Sequence, residues 1–345
     1  ADPGNGTPNQ CEIESAFGAH GLSGSSALFA GLHPEITGTV DGLQAIPVVA
    51  VPPASIGACG AAVVSIDVRY RIDNGSPETI ALAPGAADYT GAIPAPGNGH
   101  LVRYWLEVEL SNGTTVTLPA GAPEYRYAFW TGETFSVFRE DFESGENGWT
   151  HGGVRDDWEI AVPEGNAGDP EAAFSGTNVL GNDVDGDGSY PSDAASWAES
   201  PVIDCRGCTQ ARLRLRRWLT VEDGNWDQAS LLVDGQPVWT NPVASSWNGP
   251  PVRDPHWSFE DFDIGAIADG KRFSVRFELT TDQGLELGGW NVDDVEVVSL
   301  AEPTTGNGGN GGSPWSCDVG TTAATLPGMS TALAAIAIAW RRRSR

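Results

Sequence analysis

From Ile36 to Tyr127 apolar and polar residues alternate in short runs: Val63–Ile72 (VVSIDVRYRI), Leu101–Leu110 (LVRYWLEVEL) and Thr114–Leu118. In the first run Val64, Ile66, Val68, Tyr70 and Ile72 share one side, and Asp67, Arg69 and Arg71 share the other. A period of two marks a half-buried strand. Turn-forming groups separate the runs: Asp73-Asn74-Gly75, Pro96-Gly97-Asn98-Gly99 and Ser111-Asn112-Gly113. The same period continues from Phe135 to Leu300, through Ala211–Leu219 (ARLRLRRWL), Gln228–Val233, Gln236–Trp239, Arg272–Leu279 and Trp290–Leu300. There Phe273, Val275, Phe277 and Leu279 alternate with Ser274, Arg276 and Glu278.

The pattern predicts an all-β chain. Residues 1–32 read as an irregular lead-in. Residues 33–134 read as an immunoglobulin-like or fibronectin-III-like sandwich. Residues 135–300 hold nine of the 13 tryptophans, enough to fill a larger sandwich of the jelly-roll type. A Gly-rich spacer follows at 301–316. Residues 317–345 then join Cys317, an apolar stretch expected to be one hydrophobic helix, and the arginines 341–343 and 345. Gly320 to Trp340 carries no charge; as a helix it would reach about 31 Å, close to the thickness of a hydrocarbon core. The arginines behind it supply a positive-inside flank, which leaves the bulk of the chain outside.

Charge narrows the function. Nineteen basic residues stand against 46 acidic ones, for a net charge of −27. Such a surface repels phosphate backbones, so nucleic acid is excluded as a partner. A His-Glu-x-x-His zinc helix is absent, since no two histidines stand closer than His20 and His33, and no Gly-x-Ser-x-Gly elbow occurs. The chain reads as non-catalytic. Cysteine use fits an oxidising compartment. Cys205 and Cys208 read as a small disulfide across a turn, in preference to a redox pair or half a zinc site. Cys11 and Cys59 are the remaining pair, and Cys317 belongs to the tail.

Two acidic groups can hold a hard cation, with Ca2+ the expected ion. Asp183, Asp185 and Asp187 alternate around glycines, as in a calcium loop. Ala194 stands where an EF-hand would place its glutamate, so ligands from elsewhere are needed; a solvated acidic turn is the competing reading. The second group joins the ends of the larger sandwich. With Phe142 facing inward, Asp141 and Glu143 share the opposite side, where Asp293 or Asp294 meets them if first and last strands are neighbours. Packed carboxylates need a cation or protons to coexist. Arg212, Arg214 and Arg216 share one face of a strand. They either pair with acidic neighbours such as Glu278 or line a groove for an anionic ligand, with Trp218, Trp226 or Trp247 as stacking platforms for sugar.

The segments FREDFESGENGW (138–149), FSGTN (174–178), RRWLTVEDGNWD (216–227) and GGWNVDDV (288–295) resemble the jelly-roll module at the C-terminus of immune-inhibitor-A-type secreted metallopeptidases. The order of Cys317, apolar helix and arginine cluster is similar to a myxobacterial-type C-terminal sorting signal, which implies Cys317 as the processing point. The resemblance implies a cell-surface or secreted protein exported across the inner membrane. It implies calcium at Glu143 and Asp294, contact with sorting machinery, and a membrane tether through the tail. The expected function is recognition of polysaccharide or extracellular protein. The alternative is the accessory region of a secreted zinc metallopeptidase whose catalytic domain lies upstream.

Overall fold

A computed structural model describes residues 32–37, 39–52, 62–246 and 249–304. Cys11, Cys59, Trp247, Cys317 and the C-terminal apolar stretch lie outside the described residues. Among the described residues, no helix is long and apolar enough to cross a membrane.

The first part comprises β1 (Thr39–Val40), β2 (Ile46–Ala50), β3 (Val63–Ile72), β4 (Glu78–Ala81), β5 (Ala83–Pro84), β6 (Tyr89–Ile93), β7 (Leu101–Leu110), β8 (Thr115–Leu118) and β9 (Tyr127–Thr131). One sheet runs β1-β9-β7-β3-β4, with β8 also on β7; the other runs β2-β6-β5. Ile46, Val48 and Ala50 alternate inward from one sheet to meet Ile66, Val68, Tyr104 and Phe129 of the other. Val64 departs from the expected alternation and is 55% exposed. A register irregularity between Val63 and Ser65 rotates it outward. His33 serves this core structurally: its ring meets the Val49 carbonyl at 2.7 Å and the Tyr104 hydroxyl at 2.8 Å.

The second part begins with β10 (Phe135–Glu140), β11 (Thr150–Val154), β12 (Trp158–Ala161), β13 (Val179–Asn182), β14 (Ala195–Glu199), β15 (Ile203–Asp204) and β16 (Arg212–Val221). It continues with β17 (Gln228–Val233), β18 (Gln236–Thr240), β19 (Val252–Arg253), β20 (Ser258–Asp263), α1 (Gly265–Ala268), β21 (Arg272–Phe273), β22 (Val275–Thr280) and β23 (Gly289–Ser299). The front sheet runs β12-β13-β23-β16-β19, with β10 also on β23 and β20 also on β16. The back sheet runs β11-β14-β22-β17-β18. Phe273, Val275, Phe277 and Leu279 all point into the core between them, as the alternation predicts, packed with Phe142, Trp149, Trp158 and Trp290. Cys205 and Cys208 form the expected disulfide.

The first and last strands, β10 and β23, are antiparallel neighbours from Phe135↔Ser299 to Glu140↔Val295. The chain is therefore an all-β protein of two β-sandwiches, which share one compact unit ending at Gly306. Leu101, Ala128 and Trp130 of the first sandwich pack with Phe259 and Leu300 of the second in a small core of their own.

Candidate functional site

The seam of β10 and β23 gathers the expected carboxylates, but the loop before β13 holds them. Phe142 turns through a left-handed φ of 58° and buries its ring against Trp149. Glu143 then reaches the loop, where one carboxylate oxygen accepts the backbone N–H groups of Thr177 at 2.8 Å and Asn178 at 2.7 Å. Asp293 is fully buried; its two oxygens accept the N–H of Ser175 at 2.9 Å and of Asp294 at 2.7 Å. Asp294 takes the Ser175 hydroxyl at 3.2 Å and Arg139 at 3.4 Å. Asp141 turns back on itself and accepts the Glu143 N–H.

Burial, with the Asp294 charge beside it, pushes the Asp293 carboxyl up to about 7 against the opposing pull of its N–H donors. Backbone amides and Arg139 meet these carboxylates, because the 174–178 loop lies across the seam.

The Asp183–Asp187 turn is likewise organised by its own backbone. Asp183 accepts the Gly188 N–H at 3.1 Å, and Asp187 accepts that of Ser189 at 3.0 Å. Asp185 donates its N–H to Glu159 at 3.0 Å. Among the described residues, the three acidic groups whose oxygens lie within 4.8 Å of one another are Glu222, Asp227 and Asp282. The sequence reading did not name them, since the trio forms only when β22 runs beside β17. Asp227 is buried and already takes the Tyr190 hydroxyl at 2.7 Å and the Asp282 N–H at 2.8 Å.

Arg212, Arg214 and Arg216 occupy the outer face of β16, as alternation requires. Their acidic partners are Asp261 and Glu35. Asp261 sits opposite Arg214 on β20 and takes both Arg212 and Arg214, the latter at 2.7 Å. Arg216 pairs with Glu35 at 2.8 Å. The expected partner Glu278 lies on β22, in the other sheet, and meets Arg276 at 3.5 Å. The guanidinium groups of Arg212 and Arg214 lie 4.7 and 5.2 Å from the Trp130 ring, and that of Arg216 lies 3.9 Å from Phe174. The arginine row therefore clamps one sandwich to the other.

Two cavities flank this clamp. One, of about 420 Å³, is lined by Trp130, Phe174, Arg214, Arg216 and Asp294. The other, of about 430 Å³, is lined from the first sandwich by Arg103, Tyr125 and Arg126, and from the second by Arg217, Trp239 and Glu260. Arg217, which sequence reasoning missed, anchors the second cavity. It bonds Asp254 at 2.8 and 3.1 Å, meets Glu260 at 3.2 Å and lies 4.8 Å from the Trp239 ring. Burial, then the neighbouring charges of Arg103 and Arg71, lowers the Arg126 guanidinium, while burial raises Glu260. Trp226 is 40% exposed in the turn that follows Asp223, and Asp223 lines this cavity. Its signal in the sequence was an aromatic inside a Gly-Asn turn; Tyr125 and Arg126 gave none, being brought there by the second sandwich.

No protein-family model matches the chain. Over 239 residues it is 25% identical to Bacillopeptidase F of Bacillus subtilis (strain 168), covering 68% of this chain and 16% of that protein. The chain thus spans about a sixth of the curated relative it matches. Among solved structures it is similar to the K1 cleaved adhesin domain of Lys-gingipain from Porphyromonas gingivalis W83, at 14% identity and a TM-score of 0.31. That match covers 48% of this chain and 98% of that one. A carbohydrate-binding module of the β-sandwich superfamily matches at 13% identity and a TM-score of 0.30, covering 77% and 96%. The mannan-recognising module TmCBM27 matches at 14% and 0.29, covering 49% and 99%.

Proposed function

We propose that this chain is the non-catalytic recognition region of an exported protein, and that it binds polysaccharide in the 430 Å³ cavity between its sandwiches. The observation that carries this reading is the lining itself. Tyr125 and Trp239 offer ring surface beside Arg103, Arg126, Glu124 and Glu260. A sugar ring needs that combination: apolar C–H faces pack on aromatics, and hydroxyl groups take charged hydrogen-bond partners. The first sandwich, of immunoglobulin or fibronectin-III-like type, supplies one wall. Secretion or display at the cell surface accompanies the reading, with the Cys317 tail as its sorting and membrane-tethering element.

A second reading has its own support. The likeness to Bacillopeptidase F favours an accessory region that delivers a peptidase to its substrate, and the cavity would then take a protein segment.

A glycan array probed with the full chain, followed by calorimetry on the strongest glycan, separates the two. Tyr125→Ala and Arg126→Ala are expected to weaken glycan binding at least tenfold with an unchanged circular dichroism spectrum. Glycan binding that survives both substitutions overturns the assignment of the cavity. Retention of extracellular protein without any glycan response supports the second reading.

A further inference from the structure

The outer face of the front sheet hides a polar centre that the seam does not use. Asn291 on β23 is fully buried and donates from Nδ2 to Asp169 at 2.6 Å. Its own Oδ1 has no hydrogen-bond partner, and neither has Oδ2 of Asp169, a residue only 5% exposed. A third buried oxygen, Oδ2 of Asp157, is also without a partner, while Oδ1 of Asp157 takes Asn182 at 2.9 Å. A buried acceptor left without a donor costs about 1–3 kcal/mol, so two such oxygens on one hydrogen-bonded pair call for a ligand.

The chain brings them to the Asp183 turn. Asp183 donates its N–H to the Asp157 carbonyl at 2.9 Å. The loop carrying Asp169 docks on the same turn, because Asn166 accepts the Asp169 N–H at 2.8 Å and bonds the Gly186 carbonyl at 3.2 Å. Asp183 is close enough that its charge raises both Asp157 and Asp169, each pushed up first by burial, to about 7 and about 8. Room at the bare oxygen of Asn291 is kept by glycine. A Cβ on Gly181 would stand 3.0 Å from Oδ1 of Asn291.

We propose that Asp169, Asp183 and Asn291 bind a calcium ion. The donor set is oxygen only, and mixes carboxylates with an amide, which suits a hard cation of flexible geometry over zinc or copper. A single proton shared between Asp169 and Asn291 would serve those two groups alone. It would leave the neighbouring Asp183 charge unmatched in a chain of net charge −27. The ion would tie β13, β23 and the 163–178 loop together, and so fix the loop that covers the seam. The site is independent of the polysaccharide reading: neither stands or falls with the other.

The experiment is calcium titration by calorimetry, with terbium luminescence, on the full chain after chelator treatment. Asp169→Asn is expected to remove one bound ion or weaken it at least tenfold, while Glu143→Gln at the seam and Asp282→Asn at the Glu222 trio leave that ion in place. Unchanged stoichiometry and affinity in Asp169→Asn overturn the proposal. So does an infrared carbonyl band showing Asp169 protonated at pH 7 in excess calcium. Should Asp169→Asn fail to fold, Asn291→Asp serves instead. At a cation site it makes stability strongly calcium-dependent and tightens the ion; a loss of stability that calcium does not relieve counts against the site.

Discussion

Trp130 decides whether the two sandwiches act as one body. Its ring is 6% exposed and lies beneath the guanidinium groups of Arg212 and Arg214. With Leu101 and Ala128 it packs against Phe259 and Leu300 of the second sandwich. Truncating a buried aromatic to alanine costs about 3–5 kcal/mol in all, the contacts its ring makes with cations included. Trp130→Ala therefore removes about 3–5 kcal/mol from the contact between sandwiches. Arg212 and Arg214 keep Asp261, and neither main core is touched. Scanning calorimetry is the assay. The wild-type chain is expected to unfold its sandwiches together, and Trp130→Ala in two separate steps, the first sandwich melting earlier. Glycan affinity should fall with it, because the 430 Å³ cavity exists only while both walls are in register. A single transition within about 2 °C of wild type corresponds to less than about 1 kcal/mol. That result would refute the role of this contact.

Two further perturbations read other parts of the argument. Asp254→Ala leaves the guanidinium of Arg217, only 9% exposed, with Glu260 as its remaining ion-pair partner, and strips the Leu219 N–H of its acceptor. Breaking a buried pair from one side costs about 3–5 kcal/mol, to be read by urea denaturation; a loss below about 1 kcal/mol would show that the pair is not desolvated in solution. Asp293 has its carboxyl raised from 3.8 to about 7 by burial. A carboxyl raised on folding stabilises the folded state fully below its unfolded value and loses that stabilisation as the pH climbs through the folded one. Stability should accordingly fall between about pH 4 and pH 7, by up to about 1.4 kcal/mol per pH unit for one proton. Asp293→Asn should flatten this part of the profile, and equal slopes in the two proteins would remove Asp293 as its source.

Local pattern carried the reading far where each residue's environment is set by its neighbours in sequence. The strand Gln228–Val233 stands where alternation places it, and Cys205 meets Cys208 because three residues of separation suffice to close a turn. Phe142 faces inward as expected, and the terminal strands of the larger sandwich do lie side by side. Val64 shows the limit, since a bulge is a property of strand pairing and leaves no mark on the period.

Long-range chemistry was legible only in part. The sequence placed carboxylates at the seam, but the amides of Ser175, Thr177 and Asn178 reach them from a loop more than thirty residues from Glu143 and more than a hundred from Asp293. It put the arginines on one face, but their partners Asp261 and Glu35 come from another strand and from the other sandwich. Asp183 was singled out; Asp169 and Asn291 were not, because nothing local distinguishes a buried acceptor with a donor from one without. By itself, then, the sequence determined the all-β class, the alternating cores and the disulfide, all products of short-range periodicity and composition. Which polar groups share a site was decided by tertiary structure alone, since strand order and sandwich docking bring together side chains that lie far apart along the chain.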